Sequence, residues 1–200
     1  MFHISRRGFI ATAFAGAFFS GTKAHAAALT TERAKALVDQ VVGEINKVIA
    51  SGRSVNSMIK DFERIFNKYA DVNIIARSTL GPDSRRASRS QMRSFTTAFR
   101  GYIARKYGKR FREFEGGKIE VTGVRPVKSW HEVKARVKLR GSAPFQVLFL
   151  VSDRSGKDLF FDLVIEGVSL RLSERTEITA IMDRNGGSID KTIADLKRSG

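Results

Sequence analysis

Immediately after Gly116-Gly117 the apolar residues of this 200-residue chain change their spacing, from every third or fourth position to every second one. A period near 3.6 places one face of a helix on a core, and a period of two does the same for a strand, so the chain divides into a helical region and a sheet region. Upstream, Thr30 or Thr31 caps a helix carrying Glu32 in its first turn and Ala34, Leu37, Val38, Val41, Val42, Ile45 and Val48 on one face, stopping at Ser51-Gly52. After Ser54 the positions Val55, Met58, Ile59, Phe62, Ile65, Phe66 and Tyr69 predict a second helix, and Asp71 starts a short one with Ile74 and Ile75. Leu80-Gly81-Pro82-Asp83 reads as a turn. A long helix from about Ser84 to Tyr107 then gathers Met92, Phe95, Phe99, Tyr102 and Ile103, with Gly108 as its C-cap.

Downstream, Val133, Ala135, Val137 and Leu139 alternate with Glu132, Lys134, Arg136, Lys138 and Arg140, the pattern of a sheet with one buried face. Ile119 and Val121 mark the preceding strand. Phe145, Val147, Phe149 and Val151 mark the third, and Leu159, Phe161, Leu163 and Ile165 the fourth, with Ser155-Gly156 turning between these two. Helices near Leu172 to Asn185 and Ile189 to Lys197 close the chain. The expected fold class is α+β: N-terminal and C-terminal helices packed on one face of a curved antiparallel sheet of about four strands.

The N-terminus bears on compartment. Ser5-Arg6-Arg7-Gly8-Phe9-Ile10 is a twin-arginine pattern, followed by an apolar run to Phe19, then Lys23 and the small-residue site Ala24-His25-Ala26. This predicts a cleavable export signal over residues 1–26, cut after Ala26, and a single domain over 27–200. The chain has no cysteine, so an exported domain must hold together without disulfides, and cysteine-ligated metals are excluded. No cofactor ligands stand out.

Loss of Arg6, Arg7 and Lys23 lowers the formal charge of +16 by three and leaves the protein strongly basic. After export the available polyanions are headgroups, lipopolysaccharide and acidic proteins rather than nucleic acid. The stretch from Arg85 to Arg112 contains no acid. Within it Arg86, Arg89, Arg93 and Arg100 lie opposite Phe95 and Phe99, either as a solvated face or as a surface for transient contact with anionic membranes. Lys106, Lys109 and Arg110 are placed nearer the mouth of any pocket.

Glu166-Gly167-Val168-Ser169-Leu170, with Arg175 beyond it, closes the strand-rich region and opens the last helices. This segment resembles the signature of the MlaC-type periplasmic phospholipid-binding proteins, also called the toluene-tolerance family. Leu80-Gly81 followed by Arg85, Gln91, Phe95, Phe99 and Tyr107 is similar to the family's turn and aromatic helix, and Asp162, Arg175 and Leu196 match as well. Ser84 stands where the family often has tryptophan, and Phe160 or Phe161 stands near a strand tryptophan.

The resemblance implies a lipid carrier with an apolar pocket enclosed between helices and sheet. The residues alone favour ordinary packing of the inward phenylalanines Phe62, Phe66, Phe95, Phe99, Phe145, Phe149 and Phe161. With the resemblance, the expected lining is Phe66, Tyr69, Ile74, Ile75, Phe95, Phe99, Tyr102, Val147, Phe149, Phe161, Leu163 and Val168. Val168 and Leu170 would finish the apolar wall, Gly167 would allow the bend, Glu166 would pair with an arginine such as Arg175, and Ser169 would cap a helix. The family implies phospholipid cargo exchanged, by a monomer, between an inner-membrane ABC transporter with its membrane-associated ring protein and an outer-membrane lipoprotein complex, maintaining lipid asymmetry. A hopanoid-associated carrier of the same family is an alternative.

An exported enzyme with an apolar-substrate pocket is the competing class, but its inventory is thin. His131 is the only histidine outside the export segment, and it reads as an exposed strand residue. Ser169 lacks the second glycine of a hydrolase elbow. Gly186-Gly187 reads as a helix stop rather than a phosphate loop. Nucleic-acid binding needs exposed rings beside the arginines, whereas the phenylalanines are expected to point inward.

Overall fold

The computed structural model describes residues 28–200; the export signal and cleavage site expected from the sequence lie outside them. Helix α1 spans Thr31–Ile49, α2 Val55–Tyr69 and α3 Val72–Leu80, and their N-caps are Thr30, Ser54 and Asp71, each accepting a backbone N–H three residues on. Helix α4 spans Arg89–Gly108. It begins later than the periodicity suggests, because Gly81–Arg85 forms a 3-10 turn behind Pro82, and Ser88 and Gln91 then close a reciprocal capping box at 3.0 Å each way. Among the described residues no helix is long and apolar enough to cross a membrane.

Gly108 does not cap α4 in a left-handed conformation; the chain runs on into a 3-10 turn over Lys109–Phe114. What the position requires is the absence of a side chain. A Cβ there would sit 2.7 Å from the Ile59 Cα, so the glycine marks the close crossing of α4 over α2.

The sheet is antiparallel throughout, in sequential order: β1 Lys118–Val127, β2 Trp130–Lys138, β3 Phe145–Ser152, β4 Leu159–Ile165 and a two-residue β5, Val168–Ser169. The short fifth strand extends the four expected. Helices α5, Leu170–Arg184, and α6, Ile189–Arg198, follow, separated by Gly186 and Gly187, both at positive φ as the stop requires. Helix α1 lies along β1 and β2, and α3 and α5 lie against β4. Helix α4 packs chiefly on α2 and α6.

Val133, Ala135 and Val137 of β2 face the helices with Val147, Phe149 and Val151 of β3, all buried. Register along β3 and β4 pairs Phe149 with Leu163, Leu150 with Asp162 and then Val151 with Phe160, leaving Phe161 as an extra residue. That bulge reverses the faces of β4 ahead of Asp162 and overturns one expectation. Phe160 points into the core, while Phe161 lies on the far side, edge-on to Trp130 at 6.3 Å.

Candidate apolar ligand site

Two aromatic runs occupy the interior. One crosses from sheet to helices: Phe149 meets Phe160 at 5.7 Å, Phe160 meets Phe66 at 6.4 Å, Phe66 meets Phe62 at 6.0 Å and Phe62 meets Phe111 at 5.3 Å. Phe160 is also a backbone anchor, since its carbonyl accepts the Asp71 N–H at 2.8 Å where α2 gives way to α3. The other run belongs to α4, with Phe95 stacked on Phe99 at 6.0 Å and Phe99 tilted against Tyr102 at 6.4 Å. Phe95 and Phe99 are both 0% exposed.

The expected lining therefore divides. Phe66, Tyr69, Ile75, Val147 and Phe149 are buried between helices and sheet, with half-buried Leu163 packed against them. Phe95, Phe99 and Tyr102 are buried in the helical layer. Ile74 is half-buried. Phe161 is on the opposite face, for the bulge described above. Val168 is 57% exposed, because the strand it belongs to is two residues long and ends the sheet; it does not complete an inner wall. The lining expected from the sequence leaves out Phe62, Phe111 and Phe160; the first is visible as a helical-period residue.

The side chains of the signature segment form a joint. Glu166 and Gly167 both have positive φ, 47° and 83°, giving the tight hairpin between β4 and β5. Glu166 does not reach Arg175; its carboxylate accepts the backbone N–H of Gln146 in β3 at 2.5 Å. Arg175 instead lies over Gly81, where a Cβ would meet its Nε at 3.2 Å. Ser169 caps α5, accepting the Leu172 N–H at 3.1 Å, and donates its hydroxyl to Asp162 at 2.6 Å. The buried Asp162 also accepts the Arg171 N–H at 3.1 Å, and the Arg171 guanidinium continues to Ser78 of α3 at 2.6 Å. With its hydroxyl committed to a carboxylate and its lone pair to a backbone amide, Ser169 acts as a cap.

A second polar group lies where α4 faces α5. The Lys106 ammonium is 2.7 Å from both Glu174 and Glu177. Tyr107 donates to Glu174, and Tyr102 donates to Glu177 at 2.8 Å. Burial, reinforced by the Glu174 and Glu177 carboxylates, pushes the Tyr102 phenol far above its ordinary value, and burial with Glu174 does the same to Tyr107. Burial opposes the charge on Lys106, but the two carboxylates outweigh it and raise its pKa. Burial also works against the Glu177 charge, yet Lys106 and Tyr102 hold its carboxyl below the usual range.

The basic stretch is not one continuous face. Arg86 bonds Asp83 and the Gly187 carbonyl, Arg100 bonds Glu63 and Asn67, and Arg105 ties down the last carbonyls of α6 at Leu196 and Ser199. Arg85, Arg89, Arg93, Lys109 and Arg110 remain exposed. His131 is half-buried rather than exposed, at the start of β2. Among the described residues no group of three histidines or acids is placed to hold a metal. Two adjoining clefts, of about 230 and 450 Å³, share Thr122, Lys134 and Gln146 on the helix-free side of the sheet.

The profile of the MlaC protein family matches residues 35–198. Among solved structures, the phospholipid-binding protein of Ralstonia solanacearum, in complex with a phospholipid, superposes with a TM-score of 0.71 at 16% identity, over 82% of this chain and 95% of that one. At that identity the likeness shows a shared fold. No curated protein sequence gives a significant match. With the sheet, the signature joint and all of the helices but the first turn of α1 inside the matched span, the chain belongs to the MlaC protein family.

Proposed function

We propose that this protein binds phospholipid in the periplasm and carries it between an inner-membrane ABC transporter assembly and an outer-membrane lipoprotein complex, helping to maintain lipid asymmetry. The observation that carries the reading is the common fold, over most of both chains, with a protein solved in complex with a phospholipid. Family membership and the aromatic interior between sheet and helices support it. Acyl tails would replace side-chain contacts along Phe66, Phe149 and Phe160, and the exposed Arg85, Arg89 and Arg93 would steer the loaded protein toward anionic membranes. We assign it no catalytic step.

The decisive experiment is mass spectrometry of organic extracts from protein purified without detergent. Intact phospholipid is the expected finding, and repeated preparations with no apolar ligand would sink the proposal. The cleavage site is tested separately. N-terminal sequencing of secreted protein should begin at Ala27, and any other start refutes cleavage after Ala26.

A further inference from the structure

A phospholipid tail entering this interior must separate a pair of neighbouring elements, and the seams differ in what holds them. The strands are joined by continuous backbone ladders from β1 to β5. Helix α4 packs closely on α2 and α6, and α5 on α3. Between α4 and α5 the bond is of another kind: Lys106, Tyr102 and Tyr107 from one helix grip Glu174 and Glu177 from the other.

We infer that this cluster is a polar clasp, and that the α4–α5 seam it closes is the route by which an acyl chain passes into and out of the aromatic interior. The inference rests on the carrier reading. Glu174 is only 3% exposed, and its Oε2 has no hydrogen-bond partner among the described residues. Opening the seam hydrates that oxygen and the Lys106–Glu174 pair, whose side chains are 21% and 3% exposed, whereas opening an apolar seam leaves hydrocarbon in water. Tyr102 belongs both to the clasp and to the run through Phe99 and Phe95, so release of its hydroxyl uncovers the apolar wall directly behind it. The ammonium also lies 5.5 and 5.4 Å from the Tyr102 and Tyr107 rings, which stabilises the closed form.

The seam between α1 and α2 carries charges too, Glu44 with Arg64, Lys68 and Tyr69, but there the helices touch directly and the basic partners are about half exposed. Opening that seam would rehydrate little.

Because the chain has no cysteine, Lys106→Cys with Glu177→Cys gives one unique pair for a short bis-maleimide linker. The readout is transfer of a fluorescent phosphatidylglycerol from preloaded protein to acceptor vesicles. Unlinked, the double variant should transfer at least as fast as the parent; linked, it should retain its lipid and transfer about tenfold more slowly. Equal rates for the linked and unlinked forms overturn the clasp. Should the double variant fail to fold, Glu174→Gln decides: several-fold faster transfer supports the inference, and an unchanged or slower rate overturns it. A parent protein that neither retains nor transfers the probe removes the carrier reading itself, an outcome distinct from either.

Discussion

The side-chain amide of Asn46 meets both backbone groups of Ile119, its Nδ2 donating to the carbonyl at 2.9 Å and its Oδ1 accepting the N–H at 3.1 Å. A helix residue thereby stands in for one peptide of a neighbouring strand at β1, the outer edge of the sheet. Replacing it by Asn46→Leu should cost about 1 to 3 kcal/mol of stability. It should also free the edge for pairing, so urea titration is paired with light scattering; an equally stable and monomeric variant would contradict this role.

The joint between sheet and α5 has its own expectation. Ser169→Ala removes the cap and should cost about 1 kcal/mol. Asp162→Ala should cost more, because it releases Ser169, the Arg171 amide and the Arg171 guanidinium together. Denaturation midpoints with unchanged slopes give the comparison.

Two helical glycines should respond oppositely to alanine. Gly108→Ala drives a methyl into the α2 backbone and should destabilise by about 1 to 3 kcal/mol. Gly43→Ala meets nothing within 4 Å in α1 and should stabilise by about 0.5 to 1 kcal/mol. Thermal melts of the two variants beside the parent test both signs.

Glu44 links α1 to α2, and its hydrogen bonds with Lys68, Tyr69 and Arg64 lower its carboxyl from 4.5 to about 2. A depressed folded-state pKa contributes stability that is present above 4.5 and lost as pH falls toward 2. Glu44→Gln should therefore be less stable than the parent at neutral pH, and the gap should close across that acid window. A pH series of denaturant titrations measures it, and a gap constant with pH would exclude the linkage.

Helix and strand positions are legible in the sequence because Val133, Ala135 and Val137, or Met58, Ile65 and Phe66, repeat with the period of their element. The caps at Ser54 and Ser169 are readable for a similarly local reason. What escapes is set by partners far along the chain. Nothing near Gly108 signals Ile59, and Lys106 lies 68 residues from Glu174. Phe161 is misplaced by periodicity because strict alternation cannot register an inserted residue.

That inserted residue also explains which way its neighbours face. Phe160 must face Phe66 and Phe149, while Asp162 must face the other way to hold Ser169 and Arg171. Positions two apart in an uninterrupted strand share a side, so with Phe161 between them the two residues point oppositely because the ladder bulges there. Deleting Phe161 would make Phe160 and Asp162 adjacent in a regular strand, still on opposite faces, and would remove the ring that meets Trp130. The aromatic interior and the start of α5 therefore tolerate a β4 one residue shorter, and the extra residue serves the far side of the sheet.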